Sequence, residues 1–317
     1  MQDTSEPKRV AFFLGKGGVG KTTLSSAFAR GLAAIGRKTL IVSLDPAHNL
    51  GDVFNASLSD EPRSLEPGLD GVEINLPAWV KRYLDETRRE MKANYSYLST
   101  LNMDGFLNIM KYSPGTEEYA VLWAIEHIWC TYGTDYDTIV FDTPPTALSL
   151  RFLALPTISE LWVAELSKLR AAILSKRSTL LKLNPEAPVA NSCVDKADDR
   201  VYNKLDVVRK RLALLNEVFR KESFVSMVVN PDMLSLSEGV RIREELDRLG
   251  IPIAAVCMNK VGIPGGHDLG APAALKGLPV FEYDLVPTGI RITENLEAVD
   301  VSKIIAHYSG TEIRSTR

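Results

Sequence analysis

The sequence predicts a doubly wound α/β fold with a mostly parallel sheet, and two observations lead to that prediction. Six short apolar runs resemble strands that are buried on both faces, and helical patterns separate most of them. The first two runs also enclose a glycine-rich segment and a helix, which together form a β-α-β unit. The predicted strands are residues 9–14, 39–44, 138–141, 224–229, 253–258 and 279–283.

Two long helical stretches interrupt this alternation. The first covers about 78–132 with a break near 113–115, and the second covers about 159–221 with a polar break from Asn184 to Asp199. In the second stretch, apolar residues recur at steps of three and four from Val201 to Phe219, which indicates one buried helix face. We therefore expect a single domain over residues 1–317, with a helical subdomain formed by these two insertions.

Composition narrows the possible functions. The 317 residues are 45% hydrophobic and 24% charged, and the formal net charge is −3. This balance argues against a protein that binds nucleic acid through bulk positive charge. No apolar run approaches the roughly 18–20 residues that span a bilayer, and Met1 to Lys8 is polar. We expect a cytoplasmic protein that is not itself transmembrane.

The three cysteines are sparse and far apart. Cys130, Cys193 and Cys257 form no C-x-x-C pair, and their number is odd. This usage predicts reduced, buried thiols instead of a disulfide framework or a cysteine-rich zinc site.

A phosphate-binding loop follows the first predicted strand. Residues 15–22, Gly-Lys-Gly-Gly-Val-Gly-Lys-Thr, fit the G-x-x-x-x-G-K-[ST] pattern and lead directly into a helix. Glycines let backbone N–H groups surround phosphate oxygens, and the helix adds its positive dipole end. Lys21 is expected to reach the β- and γ-phosphates, and Thr22 to bind Mg²⁺. The predicted core is thus a P-loop NTPase, with nucleotide contacts from Gly15, Gly17, Gly18, Val19, Gly20, Lys21, Thr22 and Thr23.

The loop contains a second lysine, Lys16, which an ordinary phosphate loop does not need. It is either a solvated surface lysine or a charge that reaches phosphates across a subunit interface. A charge supplied in that way accelerates phosphoryl transfer by roughly 10³–10⁵.

Two carboxylates follow predicted strands. Asp45 comes after the second strand and Asp142 ends the third, so both should open into the ligand crevice at the carboxyl edge of the sheet. One can orient the attacking water, and the other can hold Mg²⁺ through its water shell. The alternative for each is a carboxylate that only caps its loop.

These motifs together carry a family resemblance over nearly the whole chain. The loop with Lys16 resembles the deviant phosphate loop of the dimeric ATPases that include nitrogenase iron protein and the cell-division ATPase MinD. The segment 45–50, Asp-Pro-Ala-His-Asn-Leu, resembles the first switch of two groups: arsenical-pump-driving (ArsA) ATPases and guided-entry ATPases that target tail-anchored membrane proteins. The segment 142–146, Asp-Thr-Pro-Pro-Thr, resembles their second switch.

The resemblance implies roles for these residues. Lys16 would cross a homodimer to the opposing nucleotide, Asp45 would polarise the attacking water, and Lys21 would complete the catalytic charges. Thr22 would bind Mg²⁺, with Asp142 in the metal shell. The second switch departs from the family after Thr146, since Ala147-Leu148-Ser149 stands where Gly-His-Thr is common.

The segment 259–262, Asn-Lys-Val-Gly, begins like the N-K-x-D guanine signature but has Gly262 in the position of the Asp. Without that carboxylate, adenine is favoured over guanine. By the resemblance, Asn259 would contact the adenine edge and Val286-Pro287 would pack on the base. The alternative for Asn259 is a cap at the end of its strand.

The resemblance therefore implies an ATP- and Mg²⁺-dependent ATP hydrolase that acts as a homodimer. Its leading role would be to handle or target hydrophobic membrane-protein segments, with a hydrophobic client helix or a membrane-bound receptor as partner and no nucleic acid. The alternatives are the ATPase subunit of an arsenite or oxyanion pump, and a regulator that uses ATP only to dimerise. Apolar residues could form either two groove walls or ordinary core: Leu98, Leu101, Phe106, Leu107, Ile109 and Met110, and Leu166, Leu169, Ile173, Leu180 and Leu181.

Overall fold

A computed structural model describes residues 9–46, 50–94, 113–184, 193–262, 275–285 and 296–310. Its described strands form one eight-stranded sheet in the order β3-β4-β2-β5-β1-β6-β7-β8. All of these pairings are parallel except β3–β4, which confirms the predicted doubly wound, mostly parallel α/β fold. The strands are β1 Val10–Leu14, β2 Thr39–Ser43, β3 Arg63–Glu66, β4 Leu69–Glu73, β5 Thr138–Asp142, β6 Ser223–Val229, β7 Ile253–Val261 and β8 Val280–Asp284.

Helices separate most of these strands. The helices of the described residues are α1 Lys21–Ala34, α2 Leu50–Phe54, α3 Leu76–Asn94, α4 Thr116–Tyr132, α5 Thr146–Leu183, α6 Arg200–Glu217, α7 Met233–Leu249 and α8 Ser302–Tyr308. Two glycines with left-handed backbone explain predicted helix boundaries: Gly36 follows α1 at φ 86°, and Gly115 precedes α4 at φ 90°. A π-helical turn, Val218–Glu222, joins α6 to β6.

The core forms around β1, whose five residues are all buried. Phe12 on this strand stacks on Phe141 of β5 at 5.0 Å between ring centroids, and Phe13 packs against Phe28 of α1 at 5.4 Å. The register pairs Phe13 with Asp142 and Ser43 with Asp142. The ends of β1, β2 and β5 therefore come together at one edge of the sheet, where the predicted site residues lie.

The chain divides into two compact units. The first comprises residues 1–79, 117–153 and 218–317 and contains the sheet; the second comprises 80–116 and 154–217. Helix α4 groups with the sheet unit, although the sequence placed it in the helical insertion of about 78–132. The helical subdomain itself remains a prediction.

An ion pair stabilises the second unit. Arg170 of α5 donates two hydrogen bonds to the buried Asp199, at 2.6 and 3.0 Å. Asp199 also accepts from the backbone N–H of Tyr202 at 2.7 Å and so caps the start of α6. The Arg170 guanidinium lowers the pKa of Asp199.

Helix α5 corrects two expectations from the sequence. It is 38 residues long, begins at Thr146 instead of near Ser159, and contains Pro156. Contrary to the expectation that no apolar run approaches a membrane span, one 18-residue stretch of it has a mean hydropathy of 1.3, so α5 is by length and composition alone apolar enough to cross a membrane. That stretch is 33% buried. Core helices of globular proteins share this length and composition.

The cysteines also differ in part from expectation. Cys257 lies buried in β7 as predicted, but Cys193 is only partly buried and Cys130 is exposed. The prediction failed at Cys130 because α4 carries apolar residues on most of its surface, so its sequence pattern does not show which side faces the core.

Candidate active site

The phosphate loop connects β1 to α1, and its shape depends on glycine at two positions. A Cβ atom on Gly15 would lie 2.3 Å from the carbonyl oxygen of Val228 in β6. Gly20 has φ 94°, and a Cβ there would lie 2.3 Å from the Asn259 side-chain nitrogen. No larger residue fits either position without movement of its surroundings. The loop therefore runs closer to the β6 backbone than a chain with side chains permits, and it packs directly against the Asn259 side chain of β7.

Three side chains hold the carbonyl oxygens of this loop. Lys21 Nζ donates to the Lys16 oxygen at 3.2 Å, Asn259 Nδ2 donates to the Val19 oxygen at 2.8 Å, and Lys260 Nζ donates to the Gly18 oxygen at 2.7 Å. Of these three, sequence reasoning missed Lys260 as a site residue. The only signal was its position in the N-K-x-D-like segment.

The loop opens into a cavity of about 400 Å³ in the first unit. The cavity brings together most of the predicted nucleotide-binding residues with Asp45 and adds three residues that were not predicted, Lys260, Leu285 and Val299. Pro287, the predicted contact to the base, lies outside the described residues. The complete lining is Gly17, Gly18, Gly20, Lys21, Thr22, Thr23, Asp45, Asn259, Lys260, Leu285 and Val299.

Asp142 is the most deeply buried charged group of the site, with a relative exposure of 0%. Thr22 donates its hydroxyl to Asp142 Oδ2 at 2.7 Å. Asp142 Oδ1 is buried and has no hydrogen-bond partner among the described residues. Burial raises the pKa of Asp142 to about 7, and this effect outweighs the opposing hydrogen bond from Thr22 and charge of Lys21.

Lys21 lies close to both carboxylates. Burial lowers the pKa of Lys21, while the charges of Asp142 and Asp45 act in the opposite direction. Asp45 is partly buried at the end of β2, and Lys16 is exposed. Lys21, Thr22 and Asp45 thus line the cavity, and Asp142 lies behind them, bonded to Thr22 and close to Lys21. The Lys16 side chain is in solvent.

Two hydroxyl groups fix the predicted second switch, one of them to the sheet. Thr143 donates to the Phe13 carbonyl oxygen at 2.6 Å, and Ser149 donates to the Pro144 carbonyl oxygen at 2.7 Å. Ser149 belongs to the departure from the family pattern, and here it fixes the loop before α5. Ala147 is exposed at the start of that helix.

The donor set fits Mg²⁺. The described residues contain no group of three or more His, Cys, Asp or Glu side chains that could hold a metal by themselves. Mg²⁺ is usually bound by one or two protein oxygens together with phosphates and water. The Thr22 hydroxyl and the unpartnered Asp142 oxygen supply such ligands.

Comparison with known proteins identifies the family. The model of the anion-transporting ATPase family matches residues 8–268. The putative arsenical pump-driving ATPase 2 of Aquifex aeolicus is 32% identical over 255 residues, which are 80% of this chain and 80% of that protein. The ATPase get3 of Botryotinia fuckeliana is 31% identical over 261 residues, 81% of this chain and 73% of that protein. The putative arsenical pump-driving ATPase of Chlorobaculum tepidum is 31% identical over 262 residues, 80% of this chain and 61% of that protein. This chain therefore belongs to the anion-transporting ATPase family, and it is an ATP-hydrolysing enzyme.

Proposed function

We propose that this ATPase requires Mg²⁺, works as a homodimer, and uses ATP turnover to bind and release a hydrophobic membrane-protein segment. The observation that supports the hydrophobic client is a row of exposed apolar side chains on α5, described below. The phosphate loop and its two carboxylates support the chemistry.

The hydrolytic step needs a positioned water and charge compensation on the transferred phosphate. Asp45 lines the cavity and acts as the group that orients and polarises the water for in-line attack. Lys21 binds the β- and γ-phosphates, for which it exchanges its 3.2 Å bond to the Lys16 oxygen. Thr22 and Asp142 hold Mg²⁺, which neutralises phosphate charge when it is bound.

Lys16 supplies the remaining charge in this proposal. Its side chain is exposed in the single chain and does not line the cavity. An exposed lysine beside a phosphate site is available to a second copy of the chain. We assign it to the nucleotide of the opposing subunit, so that dimer closure completes the active site.

Asn259 supports adenine as the base. Its side-chain nitrogen donates to the Val19 oxygen at 2.8 Å, which leaves the side-chain oxygen as an acceptor. Asn259 also lines the cavity. An acceptor suits the amino group of adenine, whereas guanine presents an oxygen at the same ring position. Adenine is therefore the base that we propose for this site.

The proposed client surface, which we call the α5 stripe, comprises Ile158, Leu161, Trp162, Leu166 and Leu169. Their relative exposures are 49%, 68%, 68%, 45% and 59%. The spacing of three and four residues puts them on one side of the helix. Contiguous exposed apolar surface of this kind marks interaction sites. The stripe shares only Leu166 and Leu169 with one of the two groove walls predicted from the sequence. The other predicted wall, from Leu98 to Met110, lies outside the described residues.

A co-expression experiment tests this role. The full chain should keep a tail-anchored membrane protein in a soluble complex that ATP turnover releases. Trp162→Ser combined with Leu166→Ser should abolish the complex and leave basal ATP hydrolysis unchanged. Val207→Ser removes a 48% exposed apolar side chain from α6 and serves as the matched control. Equal capture by the double variant and the control would rule out the α5 stripe.

An arsenite-pump subunit is the second candidate, and the names of two of the relatives favour it. Soft thiolates would have to bind the metalloid. Burial raises the pKa of Cys257 to about 12, which makes this thiol a poor ligand. Cys130 is exposed and Cys193 partly so. Stimulation of ATP hydrolysis by arsenite that disappears in Cys130→Ser with Cys193→Ser would support the pump instead.

A further inference from the structure

Lys260 has an unusual backbone conformation for its position. It lies near the end of β7 with φ 60°, and among the described residues only it and Asn55 have positive φ without being glycine. Asparagine tolerates this region through its short polar side chain, but lysine has no such preference. The conformation therefore needs a local structural cause.

That cause is a shift of register beside β8. Met258 pairs with Glu282 and Val261 pairs with Asp284, so two residues of β7, Asn259 and Lys260, lie opposite the single residue Tyr283. In a regular strand, consecutive side chains point to opposite faces of the sheet. An extra residue of this kind redirects side chains and is common beside active sites.

The shift lets two consecutive side chains reach one loop. Asn259 donates to the Val19 oxygen at 2.8 Å and Lys260 donates to the Gly18 oxygen at 2.7 Å. A trans peptide plane holds its C=O and the following N–H in opposite directions. Fixing these two oxygens thus also fixes the direction of the Val19 and Gly20 N–H groups, which the phosphate loop needs for anion binding.

The part of the loop that Lys260 contacts has little other support. An added Cβ atom on Gly17 or Gly18 would have no described atom within 4 Å, and both residues are exposed. Gly18 also has φ 79°, a region that an unrestrained glycine leaves freely. The Lys260 ammonium group is thus a main restraint on this exposed segment.

We propose that Lys260 is a positioning residue, which holds the Gly17-Gly18 segment in its phosphate-binding conformation. The inference rests on the proposed binding of ATP in the cavity. The hydrogen bond from Lys260 to the Gly18 oxygen, which we call the tether, shapes the loop before the reaction begins. It therefore contributes to binding of the nucleotide phosphates much more than to the rate of the chemical step.

Three variants of the full chain test the tether. Lys260→Ala removes the side chain, Lys260→Gly removes it and also relieves the left-handed backbone, and Lys260→Arg retains a cationic donor. Lys276→Ala is the matched control, because it removes one exposed positive charge outside the cavity. The readouts are the Kd for ATP and for adenosine by calorimetry, and KM and kcat for ATP hydrolysis with Mg²⁺.

Lys260→Ala and Lys260→Gly should both weaken ATP binding and raise KM by about tenfold, with kcat changed by less than about threefold. Adenosine affinity should stay within about twofold, and Lys260→Arg should recover ATP affinity to within about threefold. ATP binding as in the parent, equal losses for ATP and adenosine, or no recovery with arginine would each overturn the assignment. If the parent itself binds no ATP, the proposed function is disproved, and so is this inference, which rests on it.

Discussion

Asp142→Asn should stabilise the nucleotide-free protein and should abolish the Mg²⁺-dependent binding of ATP. The pKa of Asp142 is about 7, against an ordinary value of 3.8, because the carboxyl is buried. Keeping it ionised at pH 8 therefore costs about 4 kcal/mol of folding free energy. Asparagine avoids this cost, but its amide is buried in the same position, and this burial lowers the free energy of unfolding by about 1–3 kcal/mol. We expect a net increase of about 1–3 kcal/mol in the free energy of unfolding at pH 8.

The stability of the parent protein should fall as the pH rises, because the folded state binds the Asp142 proton more tightly than the unfolded state does. A raised pKa in the folded state means that the stabilising contribution of the protonated carboxyl is complete below 3.8 and is lost as the pH rises through about 7. Between pH 5 and pH 8 the parent should therefore lose about 2–3 kcal/mol from this group, and the variant should lose none of it.

Urea unfolding at the two pH values, without nucleotide, measures these differences. The same experiment with ATP and Mg²⁺ should stabilise the parent and leave the variant unchanged. A variant that is less stable than the parent at pH 8, with an unaltered pH dependence, would refute the assignment of a buried and poorly compensated charge to Asp142.

Three further substitutions, and one control for the third, have defined outcomes. Asp45→Asn should keep ATP affinity within about twofold but lower kcat by about 10²–10⁴ in a phosphate-release assay, and unchanged turnover would remove its role. Lys16→Ala should lower ATP-dependent dimer formation in sedimentation and reduce kcat by about 10³, whereas normal closure would disprove the cross-subunit contact. Gly20→Ala should lower the free energy of unfolding by about 2–3 kcal/mol, since its Cβ would displace the Asn259 amide and break the hydrogen bond to the Val19 oxygen. Gly36→Ala, with similar φ and no neighbour within 4 Å, should cost only about 1 kcal/mol, and equal losses would contradict the clash.

The buried parallel strands were predictable from the sequence because both of their faces are apolar. Residues 9–14 and 224–229 were predicted as strands, and Val10–Leu14 and Ser223–Val229 are observed. The hairpin of β3 and β4 was missed. Its edge strand, Arg63–Glu66, is short and has one apolar residue among its four, so it shows no buried-strand pattern, and only the Pro67-Gly68 turn marked it.

The site was predictable to the extent that its residues are contiguous. The glycine loop lies in one uninterrupted motif. Asp45 and Asp142 could be predicted as site residues because each stands at the end of a predicted strand, and parallel strands end at the same edge of the sheet. Lys260 could not be found in this way. Its contact with Gly18 depends on one extra residue in β7 relative to β8. The register between two strands cannot be predicted from the sequence of either strand alone.

In the proposed function, the loop from Gly15 to Thr22 binds the triphosphate of ATP together with Mg²⁺. Titration calorimetry of the full chain with ATP and Mg²⁺ tests it directly. We expect one nucleotide per chain, with binding that weakens at least tenfold in Lys21→Ala because a buried cation beside the phosphates is lost. No heat of binding over several temperatures, or equal affinity in the parent and the variant, would contradict the claim.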